Sequence, residues 1–258
     1  MTAVTLPISA FVIAKNEAPT IGRVIDSVAG LVDEVIVIDS GSTDGTQAIC
    51  EQKGARVVFN AWPGYGPQKR FGEDLCRNDW VLNLDGDEVV SAPLAAQIRA
   101  LFAPSPALDG YTLARRVVLP GETAPRRFAP ADHWLRLYRR SVMRFADSPV
   151  HDKVVIPPGQ RIGRLAGVLD HYAFRSFGHL IAKYNSYTDL HAKTAKPKAA
   201  GPLIAKALTI FPFAFLKAYV LRRHFVLGWY GVSLALLFAF FRVAKYTKQL
   251  ERAKGVTQ

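Results

Sequence analysis

The stretch Trp80-Val81-Leu82-Asn83-Leu84-Asp85-Gly86-Asp87-Glu88 runs from a short apolar segment straight into a turn of acids. Its first residues, Trp80 to Leu84, read as a buried strand. Two carboxylates two residues apart at a strand end can reach one hard cation if the backbone turns between them, and Gly86 makes that turn easy. Oxygen ligands select Mg²⁺ or Mn²⁺ over zinc. An ion held there can bridge a diphosphate and neutralise charge on a departing group. A solvated acidic turn ahead of a helix would use the same residues as caps, so the preceding sequence has to decide.

Working back from Trp80, strands and helices alternate. Ile8–Ala14 is a short apolar run of the kind buried on both faces. Pro19 suits the first turn of a helix, and Ile21, Val24, Ile25 and Val28 follow at helical spacing until Gly30. Val35–Ile38 is a second buried strand, closed by Asp39. The loop Ser40-Gly41-Ser42-Thr43-Asp44-Gly45 leads to a helix over Thr46–Lys53, and Ala55–Phe59 is a third strand. A Gly/Pro-rich loop over Asn60–Pro67 precedes a helix reaching about Arg77. Alternation of this kind predicts a parallel sheet with right-handed crossovers. Ligands of such sheets bind beyond the carboxyl ends of the strands, where Asp39 and Asp85 both fall. Asp39 can accept hydrogen bonds from a base or ribose, while Asp44 reads as a helix cap. Neither GxGxxG nor GxxxxGK[ST] is present, which excludes a dinucleotide fingerprint and a P-loop.

Working forward, 91–103 is a predicted helix. Tyr111–Leu119, Trp134–Tyr138 and Val150–Ile156 are predicted strands, and 175–195 is a predicted helix. Arg136 and Arg139 flank Tyr138 in a predicted strand and could meet an anionic acceptor, though a solvated strand edge is the preferred reading. After the break Lys196-Pro197-Lys198 come two apolar segments, Leu203–Leu221 and Phe225–Ala244, separated by Arg222-Arg223-His224.

The chain has 258 residues, half of them hydrophobic, and a net charge of +12. That charge is unevenly placed. Residues 1–150 hold 16 Lys and Arg against 17 Asp and Glu, whereas 151–258 hold 17 against 4. Cations interleaved with long apolar runs favour an anionic membrane surface over nucleic acid. Cys50 and Cys76 lack a CxxC neighbour, and the apolar strand begins almost at once without a leader. Both point to free thiols in a reducing compartment.

Three motifs in order carry a family resemblance: Phe11-Val12-Ile13-Ala14-Lys15-Asn16-Glu17, Asp39-Ser40-Gly41-Ser42-Thr43-Asp44-Gly45-Thr46, and Asp85-Gly86-Asp87-Glu88. They resemble the inverting family 2 glycosyltransferases of GT-A fold. Trp62-Pro63-Gly64-Tyr65-Gly66-Pro67-Gln68-Lys69-Arg70-Phe71, Arg77-Asn78-Asp79 before the fourth strand, Val150-His151-Asp152 and the basic apolar tail resemble the lipopolysaccharide core β-1,4-glucosyltransferases within that family. The resemblance implies a Rossmann-like α/β domain over 1–195, with a mixed, mostly parallel sheet flanked by helices. A membrane-associating helical extension would occupy 196–258. It implies that Ala14 and Glu17 line a nucleoside pocket and that Asp39 meets uracil or ribose. Lys69 or Arg70 would approach the base or diphosphate, Asp85 the ribose or sugar, and Asp87 the metal. Gly86 stands where alanine is common in this subgroup.

Direct displacement with inversion needs one more carboxylate, to take the acceptor proton. Asp152 is the candidate, one methylene shorter than the glutamate frequent in relatives. His171 or His151 could complete the shell of a Mg²⁺ or Mn²⁺. The expected reaction moves a hexose, glucose first, from a UDP-sugar to a lipopolysaccharide core or other glycolipid. The enzyme would lie on the cytoplasmic face of a bacterial inner membrane, peripheral or monotopic. Two helices lying in the interface, lysines snorkelling, suit the tail better than one span. A nucleotidyl- or phosphotransferase using the same carboxylates is the rival. It would want a basic Gly-rich loop after the first strand, and Lys15-Asn16-Glu17 is not one.

Overall fold

The computed structural model describes residues 4–148, 152–196 and 199–256. The chain forms two compact units. One comprises the chain up to Val117 together with Ala131–Tyr172; the other comprises Val118–Pro130 and the chain from Ala173 onward.

The first unit is built on an eight-stranded sheet. Its strands in chain order are β1 (Leu6–Ala14), β2 (Val32–Asp39), β3 (Arg56–Phe59), β4 (Trp80–Asp85), β5 (Glu88–Val90), β6 (Gly110–Val117), β7 (Ala131–Arg139) and β10 (Ile162–His171). Two further short strands, β8 (Arg144–Phe145) and β9 (Val154–Val155), pair with each other. The spatial order of the large sheet is β3-β2-β1-β4-β7-β6-β10-β5. The β3-β2-β1-β4 half is parallel, as the alternation predicted. Beyond β4 the sheet is mixed: β7 runs antiparallel to both β4 and β6, β10 parallel to β6, and β5 antiparallel to β10. This is the expected α/β fold of GT-A type.

β1 shows why its run is apolar at every position from Ala10 to Ala14. Ile8, Ala10, Val12 and Ala14 enter one core with Ile21, Val24, Ile25 and Val28 of α1 (Ala18–Val28). Cys50 of α2 (Thr46–Gln52) and Leu94 and Ile98 of α4 (Ala92–Phe102) join them. Phe11 and Ile13, pointing the other way, enter a second core with Ile36, Ile38 and Tyr138, against which Phe71 and Leu75 of α3 (Tyr65–Leu75) pack. A central strand thus feeds both layers. The two buried cysteines are free, and burial pushes Cys50 up to about 11 and Cys76 up to about 12, so neither is a nucleophile.

Three strands were not foreseen. β5 and β8 are too short to show a period, with 3 and 2 residues. β10 alternates only weakly, because Gly163, Arg164 and Gly167 interrupt it. Gly167 is there for space: a Cβ would lie 2.5 Å from the Leu94 Cα. The strand expected over Val150–Ile156 is seen only as Val154–Val155, and residues 149–151 lie outside the described part.

The second unit contains α5 (Phe177–Thr194), α6 (Ala200–Leu216) and α7 (Trp229–Ala253). A π-helical turn, Lys217–Leu221, and a 3-10 turn, His224–Leu227, join α6 to α7. α5, which sequence assigns to the catalytic domain, packs against α7 within this unit. A polar seam fixes the pair. The Lys248 ammonium donates to Asp189 at 2.5 Å, Asn185 at 2.8 Å and Thr188 at 2.9 Å.

α3 carries Lys69 and lies hard against the sheet. A Cβ on Gly72 would fall 2.8 Å from both Ile38 Cδ1 and Phe11 Cδ2. Gly72→Ala is therefore expected to cost about 1–3 kcal/mol through overpacking, read as a lower urea midpoint at unchanged slope.

Candidate active site

The carboxyl ends of β1, β2 and β4 bring the three motifs together. Ala14 and Asp39 are register partners, as are Ile13 and Asp85. At β2 the loop folds back onto its own acid. Asp39 is buried; its Oδ1 accepts from the Gly41 and Ser42 amides at 2.9 Å and from Gln47 Nε2 at 2.6 Å. Its Oδ2 accepts from the Ser42 hydroxyl. Burial alone would raise its pKa, but these donors outweigh it and hold the carboxyl below its ordinary value.

Asp44 links two helix starts. Its Oδ1 accepts from the Thr46 amide at 3.1 Å, and its Oδ2 accepts from the Ala18 amide at 3.0 Å. Glu17 N in turn donates to Thr46 Oγ1 at 2.9 Å. The capping expected of Asp44 therefore serves α1 as well as α2. Ala14 is buried, and its carbonyl accepts from Ser40 N at 3.0 Å. Glu17 accepts from Thr20 Oγ1 at 2.9 Å. Gly86 faces Glu17, since a Cβ there would lie 2.9 Å from Glu17 Cγ.

At β4 the charges are dense. Lys69 Nζ is fully buried and lies 2.8 Å from both Asp85 Oδ1 and Asp152 Oδ2. Arg136 Nη2 donates to Asp85 Oδ2 at 2.9 Å and to Glu88 Oε1 at 2.7 Å, while its Nη1 donates to Asn83 Oδ1. Arg115 Nη1 donates to Glu88 Oε1 at 3.1 Å and lies 3.9 Å from Asp85. Glu88 is itself buried, and its Oε2 accepts from the Asp85 amide at 3.1 Å. Burial would raise the Asp85 pKa; Arg136, then Lys69 and Arg115, outweigh it and hold it well below the usual carboxylate range. Arg136 stays charged, because Asp85 and Glu88 more than offset its own burial.

Arg136 is a correction. It was read as a solvated strand edge, but β7 lies inside the sheet and Arg136 is 3% exposed. The available signal was an arginine set between Leu135 and Leu137 in an apolar strand, which needs a buried acid to be tolerated. Arg139, by contrast, is half-exposed and pairs with Asp79 at 2.9 Å. Arg115 and Glu88 were likewise given no role by sequence. Lys69 and Arg70 diverge: Arg70 Nη1 donates to the Phe145 carbonyl at 3.1 Å and borders a separate shallow depression with Arg144 and Pro157.

Asp87 and Asp85 have different partners. Asp87 Oδ2 faces His171 Nε2 at 3.3 Å, both nearly buried. Among the described residues no group of three His, Cys, Asp or Glu converges on one point. The Asp87 carboxylate suits a hard cation that takes few protein ligands and completes its shell with phosphate and water, and the His171 imidazole beside it suits Mn²⁺ better than Mg²⁺. His151 lies outside the described residues.

Residues 9–156 match the family described as glycosyl transferase family 2. The chain belongs to this glycosyltransferase family. An uncharacterized glycosyltransferase of Rickettsia bellii is 40% identical to it, over 96% of this chain and 87% of the relative. The lipopolysaccharide core biosynthesis glycosyltransferase LpsC of Rhizobium meliloti is 30% identical, over 93% of this chain and 92% of that one. The glucosyl-3-phosphoglycerate synthase of Mycobacterium tuberculosis, solved with Mn²⁺, UDP and glucosyl-3-phosphoglycerate, matches at 29% identity and a TM-score of 0.35. That match spans 43% of this chain and less than half of the synthase, 44%.

Arg136→Met would leave buried Glu88 with Arg115 as its one remaining charge partner and is expected to destabilise the fold by about 3 kcal/mol. The pH dependence has a definite sign. A depressed Asp85 contributes fully above its unfolded pKa of about 3.9, and that contribution is lost as pH falls through the lowered native value. Removing Arg136 raises that native value. Acid unfolding followed by circular dichroism should therefore begin at higher pH in the variant, and an unchanged onset would remove Arg136 from control of Asp85.

Proposed function

We propose that this glycosyltransferase moves a hexose with inversion from a UDP-sugar to the lipopolysaccharide core or a related glycolipid, assisted by Mg²⁺ or Mn²⁺. The observation that carries the reading is Lys69, whose one ammonium stands between Asp85 and Asp152. It ties the acid at the strand end, where donors bind in open α/β sheets, to the acid proposed to serve the acceptor. The similarity to LpsC over nearly the whole chain supports a lipopolysaccharide core acceptor.

In this reading Ala14, Glu17 and the Asp39 loop form the nucleoside side of the site. The loop's own donors occupy Asp39, so it shapes the pocket as well as facing the base. Lys69 supplies positive charge toward the diphosphate, and Asp85, clamped ionised, accepts from a ribose or sugar hydroxyl. Arg70, turned to the Phe145 carbonyl, takes no part in this reading. Asp87 and His171 hold the cation, which when bound neutralises charge on the leaving diphosphate. Asp152 takes the proton from the acceptor hydroxyl as its oxygen attacks the anomeric carbon. The carbon–oxygen bond to the diphosphate breaks on the opposite face, which inverts the configuration.

The apolar, cation-flanked helices support attachment to a bilayer at the cytoplasmic face, where lipid-linked acceptors would be met. Ala200–Leu221 is long and apolar enough to cross a membrane. Pro212 inside it and Lys206 and Lys217 along it favour lying in the interface.

Purified protein incubated with a panel of radiolabelled nucleotide sugars, with and without metal, should consume a UDP-hexose in a metal-dependent way. Asp87→Asn and Asp152→Asn should each lower transfer at least about 100-fold. Only Asp87→Asn should also weaken metal-dependent UDP binding by calorimetry. Nucleotidyl transfer without sugar turnover would overturn the reading.

A further inference from the structure

The second unit holds a cluster of cations that its own acids do not neutralise. From Ala173 to the end of the chain there are only two acids, Asp189 and Glu251, and Asp189 is taken by Lys248. Arg222, at the end of the π-helical turn, and Arg242, on α7, both lean on the Phe238 ring. Their guanidinium carbons lie 5.2 and 4.9 Å from its centroid. Among the described residues neither guanidinium has a carboxylate partner. Both cations are thus anchored at one ring without an acid to balance them, and an anion reaching both would supply that balance.

Two polar groups stand beside them. Tyr184 of α5 stacks on Phe241 at 5.5 Å. Burial raises its hydroxyl's pKa while Arg222 and Arg242 pull it down, so both arginines are within electrostatic reach. His224 has a buried Nδ1 with no partner, and burial together with Arg222 keeps the ring neutral. The turn holding Arg222 and His224 is rigidly placed. A Cβ on Gly231 would fall 1.8 Å from the His224 carbonyl oxygen, and Arg223 adopts a left-handed φ of 58°. Beside Arg222 in the chain, Leu221 is 77% exposed, and Trp229 at the start of α7 is 72% exposed.

We infer that Arg222 and Arg242, with the Tyr184 hydroxyl and His224, form a phosphoryl-binding site for the headgroup of an anionic membrane lipid. The two guanidiniums would clamp phosphate oxygens, Tyr184 would donate to one of them, and Phe238 would hold both arginines in place. Exposed aromatic and aliphatic side chains beside a phosphate clamp favour a lipid in a bilayer over a free phosphate. The inference rests on the membrane-attached reading above and gives that attachment a chemical preference.

The test is flotation of the full-length protein with phosphatidylcholine vesicles, with and without phosphatidylglycerol. Arg222→Gln/Arg242→Gln should lose at least tenfold in affinity for the anionic vesicles while keeping its affinity for neutral ones. Tyr184→Phe, at unchanged charge, should lose about threefold. Lys196→Gln/Lys254→Gln, which removes the same charge elsewhere in the unit, should lose less than threefold. Matching circular dichroism and thermal midpoints establish that the variants fold. Equal losses in the two double variants would mean diffuse attraction and overturn the site. Binding of glycerol phosphate without vesicles, as tight as the binding to anionic vesicles, would assign the clamp to a soluble ligand and overturn the lipid. Failure of the unaltered protein to bind any vesicle would sink the membrane reading itself. Binding indifferent to phosphatidylglycerol would sink only this inference.

Discussion

A carboxylate at the end of a buried central strand must be matched by cations, and the first unit is organised around that match. Asp85 meets Lys69 from α3, Arg136 from β7 and Arg115 from β6. Glu88 balances the two arginines from below. Removing one member leaves its buried partners with less compensation than their burial requires, which is costlier than never having placed them there. The network therefore ties the mixed half of the sheet to the parallel half through charge as well as through backbone pairing.

The same network explains how a site can be rigid before any ligand arrives. The donors around Asp39, the Asp44 bridge between two helix starts and the clamped Asp85 all fix groups at the strand ends within their own loops. Such preorganisation lowers the ordering cost of binding. The acceptor side differs. Asp152 is about a third exposed and has Lys69 as its charge partner, so the side proposed to serve the acceptor is less constrained than the one proposed to hold the donor.

The parallel half of the fold was legible because its signals are local. The apolar run of β1, the spacing of Ile21, Val24, Ile25 and Val28, and acids closing the second and fourth strands need no knowledge of distant partners. In the mixed half β6 and β7 were legible as strands but β5 and β10 were not, nor was β8 outside that sheet, because β5 and β8 are too short to show alternation and β10 is broken by glycines that serve packing. Site residues divide the same way. Ala14, Glu17, Asp39, Asp85 and Asp87 sit in contiguous motifs. Arg115 and Arg136 take their meaning from Glu88, dozens of residues away, and a single strand pattern cannot show that an arginine points inward. α5 was placed with the catalytic domain because its periodicity says that it is a helix but not what it packs against; the Lys248–Asp189 seam supplies that.

Gly86 has a consequence for how this site can change over evolutionary time. With a Cβ at position 86 only 2.9 Å from Glu17 Cγ, the side chains at 86 and 17 draw on one small volume. A homologous site that carries alanine at 86 must swing or shorten the side chain at 17. The two positions, on different motifs and remote in sequence, should then covary as a pair. A lineage that fixed glycine first would have been free to keep a full-length glutamate at 17.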